Sequence, residues 1–352
     1  MFDGISHDDD LIKRRRALSS MKRSELFFNL PKELIAQEPS RPRDACRLMV
    51  LDRQTQTISH QLFFEIETWL RPGDVLVFND SKVLPARLLG TRGSDKREVL
   101  LLRLREQDVW EVLVGGKVRL GDVIAFSQGL SCTIIEKIQT IYLARFNQSG
   151  STFFSTIQTI GFLPTPPYIK KPLQNEDDYQ TIYADVLGSA AAPTAGLHFT
   201  QTLLDQLKNM GVEQEFLTLH VGLGTFQPVK TAEVEKHQIH SEWYQVELAT
   251  FERLKKAKAA GNRIVAVGTT SVRVLETLFQ SGKTSGESSL FIYPGYTFQA
   301  VDALVTNFHT PYSSLLALVY AFSGTNFMKK AYGEAITKHY RFFSFGDAML
   351  IL

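Results

Sequence analysis

The sequence predicts an α/β fold with a mainly parallel sheet flanked by helices and a small antiparallel β-barrel inserted into it. From residue 188 onward, helical stretches alternate with short apolar strands, as in parallel sheets. From 75 to 146, short strands separated by glycine turns are typical of a small closed barrel. We therefore expect a flexible extension over 1–20, an α/β domain over 21–74 and 150–352, and a barrel domain over 75–149.

The bulk properties indicate a cytoplasmic protein with a sizeable core. The chain has 352 residues, 44% of them hydrophobic. Its longest apolar run, Leu315–Phe322, is far shorter than the roughly 20 residues of a membrane-spanning helix. Cys46 and Cys132 form no CxxC pair, which argues for a reducing compartment. Because the formal net charge is only +2, a polyanionic partner must meet a local basic surface.

The N-terminal half is predicted to be mostly β. Residues 30–37 suggest a short helix, and 48–63 alternate around a polar turn as a hairpin does. The runs VLVFN, ARLLGTR, EVLLLRL, WEVLVGG, DVIAF, CTIIEKI and IYLARF then supply the expected barrel strands. A helix is expected over 151–161, and the proline-rich 163–172 is expected to be extended.

The C-terminal half predicts the strands and helices of the α/β domain. The expected strands are LTLHV, RIVAVG, LFIYP, ALVTNF and AMLIL. Helices are expected over 201–210, 251–260 and 311–324. Ligands of such sheets bind at the carboxyl ends of the strands, which is where polar motifs cluster in this sequence.

The segment GSAAAPTAGLHFT, 188–200, is the most informative of these motifs. Its small side chains allow a close approach of the backbone to another group. Thr200 can cap the following helix, so His198 would lie just ahead of free helical N–H groups. This arrangement suits a ligand pocket, although tight packing of a loop against a sheet explains the same composition.

Two further strand ends carry candidate ligand groups. RIVAVG leads into Thr269, Thr270 and Arg273, where hydroxyls, helical N–H groups and a guanidinium suit a nucleoside, carboxylate or phosphate. An ordinary helix cap is the alternative. LTLHVGLGTF places His220 before a glycine-rich loop, but it lacks the full GxGxxG fingerprint of dinucleotide binding. The candidate binding residues of that loop are Gly222, Gly224 and Thr225.

Other polar groups follow strands or lie near them. KHQIHSEW contains two histidines and Glu242, but its spacing is not that of HExxH, so we expect no metal. Asp80 belongs to a polar cluster after VLVFN, which forms either a turn or the wall of a site. Tyr293 and Asn307 end LFIYP and ALVTNF, where they could stack on and hydrogen-bond a base, or simply pack.

The motifs taken together resemble a known family. NDSKVLPARL, GSAAAPTAGLHFT, LTLHVGLGTF, HSEW, VGTTSVRVLE, YPGY, VTNFH and YRFFSFGDAMLI occur in this order from about Leu26 to Ile351. They resemble the S-adenosylmethionine:tRNA ribosyltransferase-isomerases of queuosine biosynthesis. The resemblance implies an α/β domain carrying a six-stranded barrel, and no cofactor beyond S-adenosylmethionine as ribosyl donor. Cys46 departs from the usual serine, and Asp178 stands where an arginine is common.

The resemblance implies transfer and isomerisation of the ribosyl part of S-adenosylmethionine onto 7-aminomethyl-7-deazaguanine (preQ1) at the wobble position of tRNA. Epoxyqueuosine-tRNA, adenine and methionine are the products. A base that takes the C5′ hydrogen beside the sulfonium would start the loss of adenine, before the preQ1 amine attacks. We assign proton transfer to His198 and His220, with Asp80 and Glu242 positioning substrate or carrying a proton. Thr269, Thr270 and Arg273 would hold the methionine carboxylate.

The expected partners are S-adenosylmethionine and preQ1-modified tRNA, bound by a monomer. The candidate phosphate contacts are Lys82, Arg87, Lys117 and Arg119, which solvated surface charge explains equally well. Two other classes of function are a non-catalytic tRNA-binding module and an S-adenosylmethionine-dependent methyltransferase. The absence of a glycine-rich methyltransferase loop and the presence of His198 and His220 disfavour both.

Overall fold

A large sheet with helices on both faces carries a separate closed barrel. The structure is a computed structural model that describes residues 20–222 and 228–352. Its α-helices are α1 (Gly150–Ile160), α2 (Gln201–Asn209), α3 (Leu248–Ala259), α4 (Thr269–Ser281), α5 (Ser314–Ser323) and α6 (Thr325–Thr337). None of these described helices is long and apolar enough to cross a membrane.

The large sheet contains nine strands within the described residues. In spatial order they are β15 (Ser285–Ser288), β13 (Glu242–Gln245), β12 (Glu213–Leu219), β3 (Val75–Asn79), β14 (Ile264–Val267), β16 (Ala303–Asn307), β17 (Ala348–Ile351), β1 (Arg47–Asp52) and β2 (Thr57–Leu62). The four strands from β12 to β16 are mutually parallel. Antiparallel pairs flank them on both sides. The carboxyl ends of the four parallel strands therefore meet at one edge of the sheet, and the α/β prediction is confirmed.

Alternating side chains of the central strands enter two different cores. Val75 and Val77 belong to the core that α3, α4, α5 and α6 cover. Leu76 and Phe78 belong to the core on the opposite face, beneath α2. Because both faces of β3 are buried, its sequence is an almost continuous run of apolar residues, which is typical of central strands in parallel sheets.

The barrel prediction is confirmed, but its first expected strand was wrong. In spatial order the barrel strands are β10 (Ile141–Phe146), β7 (Val109–Val114), β6 (Asp95–Glu106), β5 (Arg87–Arg92), β8 (Val123–Ala125) and β9 (Ser131–Ile138). VLVFN, which we assigned to the barrel, is β3 of the large sheet. Its uninterrupted burial distinguishes it from β5, whose exposed and buried residues alternate.

Most of the other predicted elements lie where the sequence placed them. Residues 47–62 form the expected hairpin, and Thr200 caps α2 by accepting the Leu203 N–H at 3.2 Å. LFIYP is not a strand in the structure: the Leu290 carbonyl accepts from a guanidinium, and Pro294 has no N–H to donate. The expected helix over 30–37 is a single 3₁₀ turn at Lys32–Leu34.

A short parallel ribbon joins the barrel to the large sheet. It consists of β4 (Ser81–Val83) and β11 (Val186–Ser189). Helix α1 closes the barrel core with Phe153 and Ile157. Gly161 ends α1, and Phe162 then exchanges backbone hydrogen bonds with Arg87 at the start of β5.

Gly161→Ala is expected to destabilise the protein by about 1–3 kcal/mol, because a methyl group there overpacks backbone. An added Cβ would lie 2.1 Å from the Pro85 carbonyl oxygen. Urea denaturation measures the change. Gly333→Ala is the matched control, since Gly333 lies in α6 with no atom within 4 Å of an added Cβ. We expect the control to stabilise by about 0.5–1 kcal/mol; equal destabilisation of both variants contradicts the prediction.

Candidate functional site

A cavity lies at the edge of the sheet where the parallel strands end. Residues at or just after the ends of β12, β14 and β16 line it, together with parts of three loops and the start of α5. The lining residues are Pro167, Tyr168, Ala192, Pro193, Thr194, Ala195, Val221, Gly268, Thr269, Thr270, Thr306, Asn307, Phe308, His309, Thr310, Leu315, Phe343 and Ser344. The position agrees with the rule that ligands of open α/β sheets bind at the carboxyl ends of strands.

The segment 188–200 crosses this edge and forms one wall of the cavity. The Ala190 N–H donates to the Val221 carbonyl at 3.0 Å, and the Ser189 hydroxyl accepts the Val221 N–H at 2.9 Å. Gly196 presses so closely against Tyr183 that an added Cβ would overlap the phenol oxygen. The small side chains therefore serve close approach, as the sequence predicted.

Asn307, at the end of β16, joins this segment to the opposite wall. Its Nδ2 donates to the Phe343 carbonyl at 3.1 Å and lies 2.9 Å from His198 Nε2. Its Oδ1 accepts the Thr194 hydroxyl at 3.2 Å. Because a carbonyl can only accept, the NH₂ group must face Phe343, and its second hydrogen then points to His198. His198 Nε2 is therefore the acceptor.

His198 lies behind the cavity wall and does not line the cavity. Its Nδ1 lies 3.2 Å from Cys46 Sγ, so both ring nitrogens have partners. Burial lowers the pKa of His198 to about 3, with Arg341 and Arg43 adding to the effect. Such a ring stays neutral near pH 7. Both ring nitrogens bond protein atoms in the structure, so proton transfer by His198 stays a prediction that this geometry does not favour.

The start of α4 opens into the cavity. Gly268 precedes the helix with φ of 90° and provides no side-chain cap. Thr269 and Thr270 line the cavity and are both buried, and the Thr270 Oγ1 has no hydrogen-bond partner among the described residues. The uncapped N–H groups and the unpartnered hydroxyl form an arrangement that favours a ligand with negative charge.

His220 lies close to the cavity without lining it. Its ring stacks on Trp243 with centroids 5.1 Å apart, and Gly188 covers its other side. An added Cβ at Gly188 would lie 2.6 Å from the ring, so only glycine leaves room for His220. Burial lowers the pKa of His220, and its Nδ1 has no partner among the described residues. Its neighbour Val221 does line the cavity.

Arg273 and Glu242 form a buried ion pair outside the cavity. The Arg273 guanidinium contacts Glu242 and donates to the carbonyls of Leu290 and Ser288, each at 3.1 Å. Glu242 also accepts the Gly222 N–H at 2.8 Å. Because the protein's own carboxylate contacts the guanidinium, this geometry does not favour a grip of Arg273 on a ligand carboxylate, which stays a prediction. The pair instead anchors the backbone where β12 leads towards the cavity.

The remaining predicted ligand residues do not converge on the cavity. Asp80 binds the Thr218 hydroxyl at 2.7 Å, and burial raises its pKa. Tyr293 packs against Phe291. Neither Asp80 nor Tyr293 lines the cavity, and neither does Gly222. Gly224 and Thr225 lie outside the described residues.

The four predicted phosphate contacts are exposed. They are Lys82, Arg87, Lys117 and Arg119. Arg87 pairs with Glu98 at 2.8 Å, which leaves it less available to a polyanion than the other three. No group of three potential metal-ligating side chains was found within 20–222 and 228–352.

His309, which follows β16, lines the cavity although the sequence analysis assigned it no site role. The ring lines the cavity, and its Nε2 lies 2.9 Å from the Thr306 hydroxyl. Burial lowers its pKa to about 3. Thr194, Tyr168 and Ser344 also line the cavity without having been predicted. The alternation of side chains along a strand places Thr306 and Asn307 on opposite faces of the sheet. No pattern in the sequence indicated that the loops of Tyr168, Thr194 and Ser344 also line the cavity.

Known proteins resemble this chain over nearly its whole length. The model of a family described as "Queuosine biosynthesis protein" matches residues 23–351. The S-adenosylmethionine:tRNA ribosyltransferase-isomerase of Caldanaerobacter subterraneus subsp. tengcongensis is 50% identical over 342 residues, which cover 94% of this chain and 100% of that protein. The protein of the same name from Symbiobacterium thermophilum is 50% identical over 344 residues, with the same coverage of both chains.

A solved structure is also similar. The crystal structure of the S-adenosylmethionine tRNA ribosyltransferase from Thermotoga maritima gives a TM-score of 0.56 at 40% sequence identity. The match covers 94% of this chain and 100% of that one.

Arg273→Ala is expected to cost about 3–5 kcal/mol of stability, because it leaves the buried Glu242 carboxylate without its cation. Urea denaturation measures the loss. The control is Lys255→Ala, which breaks an exposed pair with Glu252 and should cost less than about 1 kcal/mol. If Arg273→Ala were as stable as the control and only bound ligand more weakly, Arg273 would be a ligand residue after all.

Proposed function

Because this chain belongs to the queuosine biosynthesis protein family, it is an S-adenosylmethionine:tRNA ribosyltransferase-isomerase, and we propose that it binds S-adenosylmethionine in the cavity at the sheet edge. The observation that carries the location is the open start of α4, with the unpartnered Thr270 hydroxyl beside it. The acceptor of the ribosyl group is preQ1 in tRNA. The products are epoxyqueuosine-tRNA, adenine and methionine, formed in the cytoplasm where both substrates occur.

The methionine carboxylate of the substrate binds at the start of α4. The N–H groups of the first helical turn carry partial positive charge and point to the helix end. The Thr270 hydroxyl donates its hydrogen to the carboxylate. This hydrogen bond gives the hydroxyl the partner that it lacks among the described residues. This replaces the guanidinium grip that we expected from Arg273, whose charge Glu242 already neutralises.

The adenosyl part lies against the apolar side of the cavity. Pro167, Tyr168 and Phe343 line this side, and the rings of Tyr168 and Phe343 lie 4.7 Å apart. Such rings suit a flat heterocycle. Asn307 closes the cavity floor, but its amide hydrogens already bind Phe343 and His198. We therefore assign Asn307 to holding the two walls together and His198 to positioning Asn307.

His220, which lies beside the cavity, carries a proton. Its ring is partly exposed between Gly188 and Trp243, so it can exchange protons with solvent. A general acid or base of this kind contributes about 10²- to 10⁴-fold to the rate. Asp80 and Glu242 act indirectly: Glu242 holds Gly222, two residues from His220, and Asp80 holds Thr218 on the same strand.

The tRNA meets the enzyme through exposed cations on the barrel side. Lys82, Lys117 and Arg119 are exposed and are available to bind phosphate oxygens. Arg87 contributes less, because Glu98 pairs with it.

The proposed function is tested by incubating the purified chain with preQ1-containing tRNA and S-adenosylmethionine. Release of adenine and methionine in step with modification of the tRNA is the expected result. Formation of S-adenosylhomocysteine would indicate a methyltransferase instead. Binding of tRNA without release of adenine would indicate a binding module and contradict the proposal.

Thr270→Val is expected to weaken binding of S-adenosylmethionine about tenfold or more, because a hydrogen bond to a charged group contributes about 1.5–3 kcal/mol. Titration calorimetry measures the dissociation constant. Thr337→Val is the control, since the Thr337 hydroxyl lies at an exposed position and binds a carbonyl of its own helix. Unchanged affinity of Thr270→Val would place the carboxylate elsewhere.

A further inference from the structure

The cavity contains one imidazole whose second nitrogen has no partner among the described residues. His309 Nε2 lies 2.9 Å from the Thr306 hydroxyl, while no described residue bonds its Nδ1. The side chain is only 8% exposed, and it lines the cavity. The backbone N–H of His309 donates to the Tyr332 hydroxyl at 2.9 Å, so the residue is held from two directions.

No other described lining residue can accept a proton as readily. The lining contains no aspartate, glutamate, lysine or arginine among the described residues, and burial raises the pKa of its tyrosine, Tyr168, to about 12. His198 lies behind the wall with both nitrogens bonded, and His220 lies outside the lining. The reaction needs a base at C5′ of the bound substrate.

We propose, on the basis of the function proposed above, that His309 is a catalytic residue that takes the C5′ proton of S-adenosylmethionine. The C5′–H bond breaks and its electron pair stays on carbon, next to the sulfonium. The proton forms a bond to Nδ1 of His309. For Nδ1 to accept the proton, Nε2 must carry the ring hydrogen and donate it to the Thr306 hydroxyl. Thr306 therefore fixes the tautomer and orientation of the ring, which makes it a positioning residue.

The charge balance of this step suits a buried imidazole. In the cavity without substrate, burial lowers the pKa of His309, because the protonated ring would be an uncompensated charge. With substrate bound, the sulfonium already provides one positive charge. Proton transfer converts sulfonium and neutral imidazole into a sulfonium ylide, whose net charge is zero, and an imidazolium, so the net charge of these two groups is unchanged. The burial that opposes protonation of His309 in the empty cavity therefore opposes this transfer far less.

The test is His309→Ala, assayed for adenine release with preQ1-containing tRNA. We expect turnover to fall by about two to four orders of magnitude, while the dissociation constant of S-adenosylmethionine changes only a few-fold. Imidazole added to the variant should restore part of the activity by entering the space that the side chain leaves. The matched control is His60→Gln, an exposed histidine on β2 that does not line the cavity, and it should retain wild-type turnover.

Several outcomes overturn the inference. The inference is wrong if the turnover of His309→Ala stays within tenfold of the wild-type value. It is also wrong if His309→Ala still binds S-adenosylmethionine, loses most of its turnover, and regains none of that turnover when imidazole is added. If the alanine variant does not fold, His309→Gln is measured instead, and turnover within tenfold of wild type then overturns the inference. Failure of the wild-type protein to release adenine contradicts the proposed function itself, which separates the two claims.

Discussion

The amide of Asn307 is the interaction on which the cavity depends. It joins the end of β16 to Thr194 and His198 on one wall and to the Phe343 carbonyl on the other. Phe343 has φ of 72°, a conformation that a bulky residue keeps only when its surroundings enforce it. The Asn307 amide bonds its carbonyl, and Phe308 accepts its N–H. Loss of the amide would leave several buried groups unpaired, at about 1–3 kcal/mol each.

The described residues that line the cavity include no aspartate, glutamate, lysine or arginine. His198 and His309 are both buried, and burial lowers the pKa of each to about 3. In the complex that we propose, the charges come mainly from the substrate, which brings its sulfonium and its carboxylate together. In that proposed complex, the partial charges at the start of α4 stabilise the carboxylate without the cost of burying a second ion. A site of this kind can move a proton without changing its total charge.

The sequence predicted the parts of the structure that depend on local patterns. The strand periods, the Thr200 cap and the close approach of 188–200 all follow from residue types at short spacing. It misplaced Val75–Asn79, because a fully buried strand has the same composition in a barrel and in a parallel sheet. The sequence also did not predict which side chains that are distant in the chain contact each other in the fold. Arg273 pairs with Glu242, which lies 31 positions away in the chain, and no local pattern indicated this pairing.

The state of His198 tests this account most directly. If Asn307 donates to Nε2, the imidazole proton must reside on Nδ1, and the ring must stay neutral between about pH 5 and pH 8. Nitrogen NMR of protein labelled at histidine reads both properties, with the His198 signals assigned by comparison with His198→Gln. The account predicts an unprotonated Nε2 and a protonated Nδ1 with no titration in that range. A proton on Nε2, or titration near the ordinary pKa of histidine, would contradict it.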